Sequence, residues 1–239
     1  SEEGRTTAAP TAAQAGTIVG RFLENVRTSV ESNVAKSVHD EHEGAATAHA
    51  AWVAGYAKRI ADLSGQSAVL DSVNASGAEG AAALCNVLGV RSTQLFGDGS
   101  GIFPHTPEPT RENLSGRGGL CDAVPGLKAD VGFAQDPDAD RLAIVDEMGE
   151  YIGEEYTLVL AALSLLEARE TPSVASGDTS PAGAGEDQAV IVTNLSTSRM
   201  IDDVAARYGA RVERTAVGEA NVVERMKSLK AAGEDVVLG

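Results

Sequence analysis

The segment Asp136-Pro137-Asp138-Ala139-Asp140-Arg141 sets three carboxylates at alternate positions and closes them with a guanidinium. On a turning or extended backbone this spacing can bring three oxygens to one hard cation, and Mg²⁺ takes oxygen ligands at about 2.0–2.1 Å. Without a cation the carboxylates repel one another, and a bound ion relieves that repulsion. Pro137 restricts the turn, and Arg141 supplies a fixed positive charge beside it. A metal next to a guanidinium suits a transferring phosphoryl group, because catalysis there is mainly positioning and charge neutralisation. Other readings of the same residues stay open at this level. Acidic turns of this kind are as often solvated loops. Asp136, Asp138 and Asp140 also match positions 1, 3 and 5 of an EF-hand calcium loop, with Glu147 at position 12; Arg141, however, takes position 6, which needs glycine. Asp136 as a phosphatase nucleophile lacks the companion residues such enzymes carry.

Few other residues offer chemistry. His39, His42 and His49 lie in one acidic stretch, with His42 and His49 two helical turns apart, a spacing that a solvated helix face explains as well as a metal does. His105 stands among prolines in FPHTPEPT, where a structural role is expected. Ser76 falls in a strand-to-helix turn, NASGAEG, and reads as structural. Cys85 and Cys121 show no CxxC spacing, hence neither a zinc site nor a disulfide framework, and Cys85 reads as a small buried hydrophobe.

The elements that must hold the acidic turn can be read around it. Asp130–Ala134 and Leu142–Asp146 have strand length and apolar character, predicting a hairpin with Gln135–Arg141 at its tip. Upstream, Ala68–Asp71 reads as a buried strand, followed by a turn, a helix closed by Gly89 and a strand over Ser92–Phe96. Three prolines in the six residues 104–109 require a fixed irregular loop, after which Thr110 caps a short helix. Two helices are predicted earlier. Ile18–Val38 carries Val19, Phe22, Leu23, Val26, Val30 and Val34 at helical steps, and Ala45–Leu63 puts Trp52, Val53, Tyr56 and Ile60 on one face. Downstream, Glu154–Glu167 is apolar nearly all round and predicts a fully buried helix. Residues 171–187 have the composition of a flexible surface insertion. Strand AVIVT, helix Thr197–Tyr208, strand Ala210–Ala216, helix Glu219–Ala232 and strand Asp235–Leu238 then alternate as in a helix-covered α/β sheet. The last strand ends at Gly239, so this second unit reads as truncated.

Composition bounds the function. A chain of 239 residues holds one large core or two modest ones, and two domains are expected. No apolar run reaches the roughly 18 residues of a membrane span, and residues 1–16 are polar, unlike a signal peptide. The first residue is Ser, which suggests processing or excision from something longer. A net charge of −16 argues against nucleic acid as a partner. With fourteen Arg to five Lys and an acidic surface, the composition points to a cytoplasm of high salt, since molar salt screens charges beyond about 3 Å. The expected result is a thermal midpoint that rises by several degrees from dilute to molar KCl; a midpoint that stays put removes the halophilic reading.

The chain resembles the phosphohexomutase superfamily of phosphoglucomutases, phosphomannomutases and phosphoglucosamine mutases. The likeness runs through LDSVNASGAEG, FPHTPEPTRENL, KADVGFAQDPDADRLAIVDEMGEYIGEEYT, VTNLSTSRMIDDVAARYG and RTAVGEANVVERM. It covers residues from about 45 to 239 and implies helix-covered mixed α/β sheets, one complete domain over 46–152 and a truncated one over 153–239, behind a lead over 1–45 that composition and periodicity read as disordered and helical. In that family a phosphoserine donates phosphate to a sugar, and the bisphosphate formed turns over and returns its other phosphate. By resemblance, Asp136, Asp138 and Asp140 hold Mg²⁺, Arg141 steadies the phosphate, and Gly218, Glu219 and Asn221 lie near a hexose or hexosamine phosphate. The chain also departs from the family. No Ser-His dipeptide matches the donor loop, and nothing matches the first and fourth family domains. The expectation is therefore a metal site without its phosphoserine, inactive as a mutase alone. A metal-binding fragment or degenerate paralogue without catalysis is the competing expectation.

Overall fold

The computed structural model describes residues 42–170 and 188–239, with Thr17 and Arg21 besides. Apart from Arg21, the predicted helix over Ile18–Val38 lies outside the described residues, as do the lead over 1–16, His39 and the insertion 171–187.

Helix α1 (His42–Ala57) precedes strand β1 (Ser67–Asp71), helix α2 (Gly77–Leu88) and strand β2 (Arg91–Phe96). After the proline loop come α3 (Arg111–Leu114), α4 (Leu120–Leu127), β3 (Val131–Gln135) and β4 (Leu142–Asp146). The first sheet has the order β2-β1-β3-β4; β1 runs parallel to both neighbours and β3 antiparallel to β4. Burial alternates along the hairpin. Gly132, Ala134, Ala143 and Val145 face inward, and their layer packs with Val69 against Leu114, Leu120 and Val124. Period-two burial of this kind is what a sheet face on a helical layer imposes.

Local chemistry explains several boundaries. Gly89 takes φ 73°, and the N–H of Val90 reaches back to Cys85 O at 2.9 Å, closing α2 with the six-to-one bond of a Schellman turn. Thr110 Oγ1 accepts from Asn113 N and caps α3. Helix α4, which contains Pro125-Gly126, was not among the predicted elements. Pro125 sits late in the helix, where its missing N–H leaves only the Cys121 carbonyl unserved.

Two expectations are corrected. The helix predicted over Ala45–Leu63 ends at Ala57; it buries Ala50 and Ala54 and exposes Trp52 and Tyr56, while Ile60 is exposed beyond its end. Small residues let α1 approach α2 closely; the large ones form an outer ladder, with His49, Trp52 and Tyr56 in ring contact. Cys85 is half-buried and not a core residue.

The second unit comprises α5 (Tyr156–Glu170), β5 (Val190–Asn194), α6 (Met200–Arg207), β6 (Arg211–Thr215), α7 (Glu219–Ala231) and β7 (Val236–Leu238). Its sheet is wholly parallel, in the order β6-β5-β7. The middle strand is buried on both faces: Ile191 packs toward Ala162, Leu166, Ile201 and Ala205, while Val190 and Val192 pack against Val222 and Leu229. A near-continuous apolar strand is the consequence. Helix α5 is not buried all round as its composition suggested. Val159, Ala162 and Leu166 point inward at helical spacing, while Tyr156 and Leu160 are exposed.

Among the described residues no helix is long and apolar enough to cross a membrane.

Candidate functional site

The acidic segment is the tip of the β3–β4 hairpin. One carboxylate oxygen each from Asp136, Asp138 and Asp140 lie within 4.8 Å of one another. Asp136 is buried and the other two are exposed. The flanks are strands, which disposes of the helix-flanked calcium loop.

The tip is built by its own side chains. Asp136 Oδ1 accepts the backbone N–H of Arg141 at 3.1 Å, and Asp136 Oδ2 accepts Arg141 Nε at 2.9 Å. Ala139 N donates to Asp136 O at 3.1 Å, which leaves Ala139 itself at φ 58°. The first sheet grips the tip from beside it: Ser76 donates to Pro137 O through both its backbone N–H and its hydroxyl, the latter at 2.7 Å. Ser76 thus has the structural place that its turn suggested. Gly77 is needed for this approach, because a Cβ there would stand 2.4 Å from Gln135 Oε1 and 3.0 Å from Ala139 Cβ. Gln135 cannot swing away freely, since its Oε1 accepts Ser72 Oγ at 3.0 Å. Gly77→Ala is accordingly expected to destabilise the chain by about 1–2 kcal/mol, read by urea unfolding.

The charges shift one another. Burial raises Asp136, but hydrogen bonds from the Arg141 backbone and guanidinium outweigh it and hold the carboxyl below its ordinary range. Asp140 is pushed up, chiefly by the charge of Asp138 and secondarily by burial. Arg141 is raised by its hydrogen bonds to Glu108 and then Asp136. Glu108 is held low by the same bond to Arg141. Burial pushes Glu154, 3.9 Å from Arg141 Nη1, upward.

Glu108 was not singled out in the sequence as part of the site. It lies 33 residues before Arg141, inside a loop for which a structural role was expected. With Pro107, Pro137, the three aspartates and Arg141 it lines a cavity of about 590 Å³. His105, in the same loop, joins the fully buried Asp71 at the end of β1 (Nε2 to Oδ2, 2.9 Å). The parallel register sets Asp71 beside Ala134, two residues before Asp136, so loop and hairpin tip meet at the carboxyl ends of β1 and β3.

Gly218, Glu219 and Asn221 begin α7. Gly218 has φ 124°, Asn221 Nδ2 donates to Val217 O at 3.0 Å, and Glu219 is exposed. No hydrogen bond or ion pair among the described residues joins that loop to the aspartates. Of the histidines near the N-terminus only His49 has a described side chain; it contacts Trp52.

The donor set fits a hard divalent cation. All three ligand atoms are carboxylate oxygens, the ligand type Mg²⁺ takes. In octahedral coordination at least two of the three pairs are cis, about 3 Å apart, so the exposed Asp138 and Asp140 must close in on a bound ion.

Comparison with known proteins bears on the same residues. Residues 52–149 match the profile of phosphoglucomutase/phosphomannomutase alpha/beta/alpha domain II, and residues 155–237 match that of domain III. A phosphoglucomutase/phosphomannomutase of Thermococcus kodakarensis is 37% identical over 152 residues, 63% of this chain and 29% of that protein. A protein named “Probable phosphoglucosamine mutase” from Pyrococcus horikoshii is 35% identical over 158 residues, 66% of this chain and 31% of that protein. The chain therefore spans about a third of the length of the curated relatives it matches. A crystal structure of a phosphoglucomutase/phosphomannomutase family protein from Burkholderia thailandensis superposes with a TM-score of 0.51 at 22% identity, covering 76% of this chain and 36% of that one. The fold is shared with that structure. The chain belongs to the phosphohexomutase superfamily and carries its second and third α/β domains.

Proposed function

We propose that this chain is the metal- and phosphoryl-holding part of a phosphohexomutase, which moves phosphate between hydroxyls of a hexose or hexosamine through a bisphosphate intermediate. The observation that carries the reading is the convergence of the Asp136, Asp138 and Asp140 oxygens within 4.8 Å beside a guanidinium already anchored on Asp136. Asp136, Asp138 and Asp140 hold Mg²⁺, which when bound supplies positive charge to a phosphoryl oxygen. Arg141 takes a second phosphoryl oxygen and fixes its orientation, a role for which a planar guanidinium suits better than an ammonium. Gly218, Glu219 and Asn221 face the sugar. The names of the two relatives cover glucose, mannose and glucosamine phosphates, so the hexose class is proposed and not one sugar. The site acts in the cytoplasm, with neither nucleic acid nor membrane as partner.

The sequence has no Ser-His dipeptide to match the family's donor loop, so the phosphoserine and the remaining phosphate contacts come from family domains one and four, outside these residues. Calorimetry with MgCl₂ tests the metal site: one ion per chain is expected, and no heat from a folded chain ends the proposal. The isolated chain is expected not to interconvert a hexose 1-phosphate and 6-phosphate; turnover by the chain alone overturns the division of labour.

A further inference from the structure

We propose that Glu108 is a positioning residue of this site, which pre-sets the Arg141 guanidinium to receive a phosphoryl group beside the three aspartates. The inference rests on the proposed function and assigns a role to a residue of a different loop.

The guanidinium has five N–H groups. Nε–H is taken by Asp136 Oδ2 and one Nη1–H by Glu108 Oε1. No acceptor among the described residues lies within hydrogen-bond reach of Nη2, and Glu154 stands 3.9 Å from Nη1. The plane is thus held at two points on two independent elements, and its remaining donors belong to the cavity that Arg141 lines with Asp138 and Asp140. Held at Nε alone, it could turn about that bond toward Asp140, 3.9 Å away, or toward Glu154.

Glu108 is itself fixed. Pro107 and Pro109 flank it, and its carbonyl accepts Thr110 N and Asn113 Nδ2, each at 2.8 Å. Upstream, His105 is fastened to the buried Asp71; downstream, Tyr151 Oη donates to Pro109 O at 2.9 Å. A solvated surface pair gains little by holding two mobile side chains together. Here one partner stands on an immobilised backbone and the other is already tied to Asp136, so little freedom remains to be lost.

Two opposing effects follow from removing the carboxylate. One anion fewer near the cavity favours phosphate weakly, because Glu108 is half exposed and water screens it. Loss of the second anchor leaves the guanidinium to be ordered by the ligand and costs a charged hydrogen bond, the larger effect. Two variants separate them: Glu108→Gln keeps an acceptor and loses the charge, while Glu108→Leu loses both.

Inorganic phosphate is titrated into the folded chain at saturating Mg²⁺, and Mg²⁺ into the chain alone, with the thermal midpoint of each variant recorded. Phosphate affinity is expected to fall roughly tenfold in Glu108→Leu and to stay within about threefold of wild type in Glu108→Gln, with Mg²⁺ affinity within about twofold throughout. Phosphate binding to Glu108→Leu as tight as wild type, or tighter, overturns the inference and leaves the metal site standing. The same holds if wild type takes up Mg²⁺ but no phosphate, or if Mg²⁺ and phosphate affinities fall together. A wild-type chain that binds no Mg²⁺ overturns the proposed function and this inference with it.

Discussion

Asp138→Asn is expected to lower Mg²⁺ affinity on the order of a hundredfold, because one of three anionic ligands is removed while the fold is untouched. Asp138 is exposed at the hairpin tip, and the backbone and guanidinium hydrogen bonds that close the turn run through Asp136, Ala139 and Arg141. The metal-free variant is expected to be more stable than the metal-free wild type, since the charge of Asp138 is what chiefly raises Asp140. The two effects have opposite signs, which distinguishes a ligand from a structural residue. Calorimetry gives the first and urea unfolding in EDTA the second; unchanged Mg²⁺ affinity removes Asp138 from the ligand set.

The acid limb carries a further check. Asp140 is raised above its ordinary 3.8 in the folded chain, so the folded state binds that proton more tightly than the unfolded one. Over the window above 3.8 the Asp140 contribution therefore falls as pH rises and is regained as pH drops. Asp136 has the opposite sign: held low, it contributes stability above its unfolded value that is lost as pH falls through the lower folded one. Protons compete with the metal for carboxylates, so Mg²⁺ affinity weakens on acidification, first through Asp140. In Asp138→Asn the Asp140 titration, followed by carboxyl carbon NMR, is expected to move to lower pH.

What the sequence disclosed and withheld has a physical division. The hairpin tip was legible because all its parts lie within six residues and the flanking strands alternate plainly. Gly89 and Thr110 marked helix ends for the same reason: caps are local. The sequence marked Trp52, Val53, Tyr56 and Ile60 as one face of helix α1 but did not show that Ala50 and Ala54 are the residues it buries. Close packing of two helices selects small side chains, which carry little weight in a hydrophobic pattern. The Glu108–Arg141 and Asp71–His105 pairs are 33 and 34 residues apart. Their meeting depends on the parallel pairing of β1 with β2 and β3, which no local spacing encodes.

His105→Leu is expected to destabilise the chain by about 3 kcal/mol, because it strands a carboxylate that is wholly buried. Asp71 Oδ1 accepts Val73 N at 3.0 Å and Oδ2 meets His105 Nε2 at 2.9 Å, so the variant leaves one of the two oxygens without a partner. His105 Nδ1 meanwhile faces Thr106 O at 2.8 Å. Both ring nitrogens thus face oxygen atoms, and the pair is a fifth exposed on the histidine side and closed on the Asp71 side. Leu conserves most of the volume, which makes the loss that of a buried polar contact and not a cavity effect. The double variant Asp71→Leu/His105→Leu separates these causes, since an apolar pair in place of a buried ionic one is often nearly neutral. Guanidinium unfolding is expected to place the double variant above the single one in stability. If instead the losses add, or His105→Leu costs less than about 1 kcal/mol, the buried pair is not what ties the proline loop to the sheet.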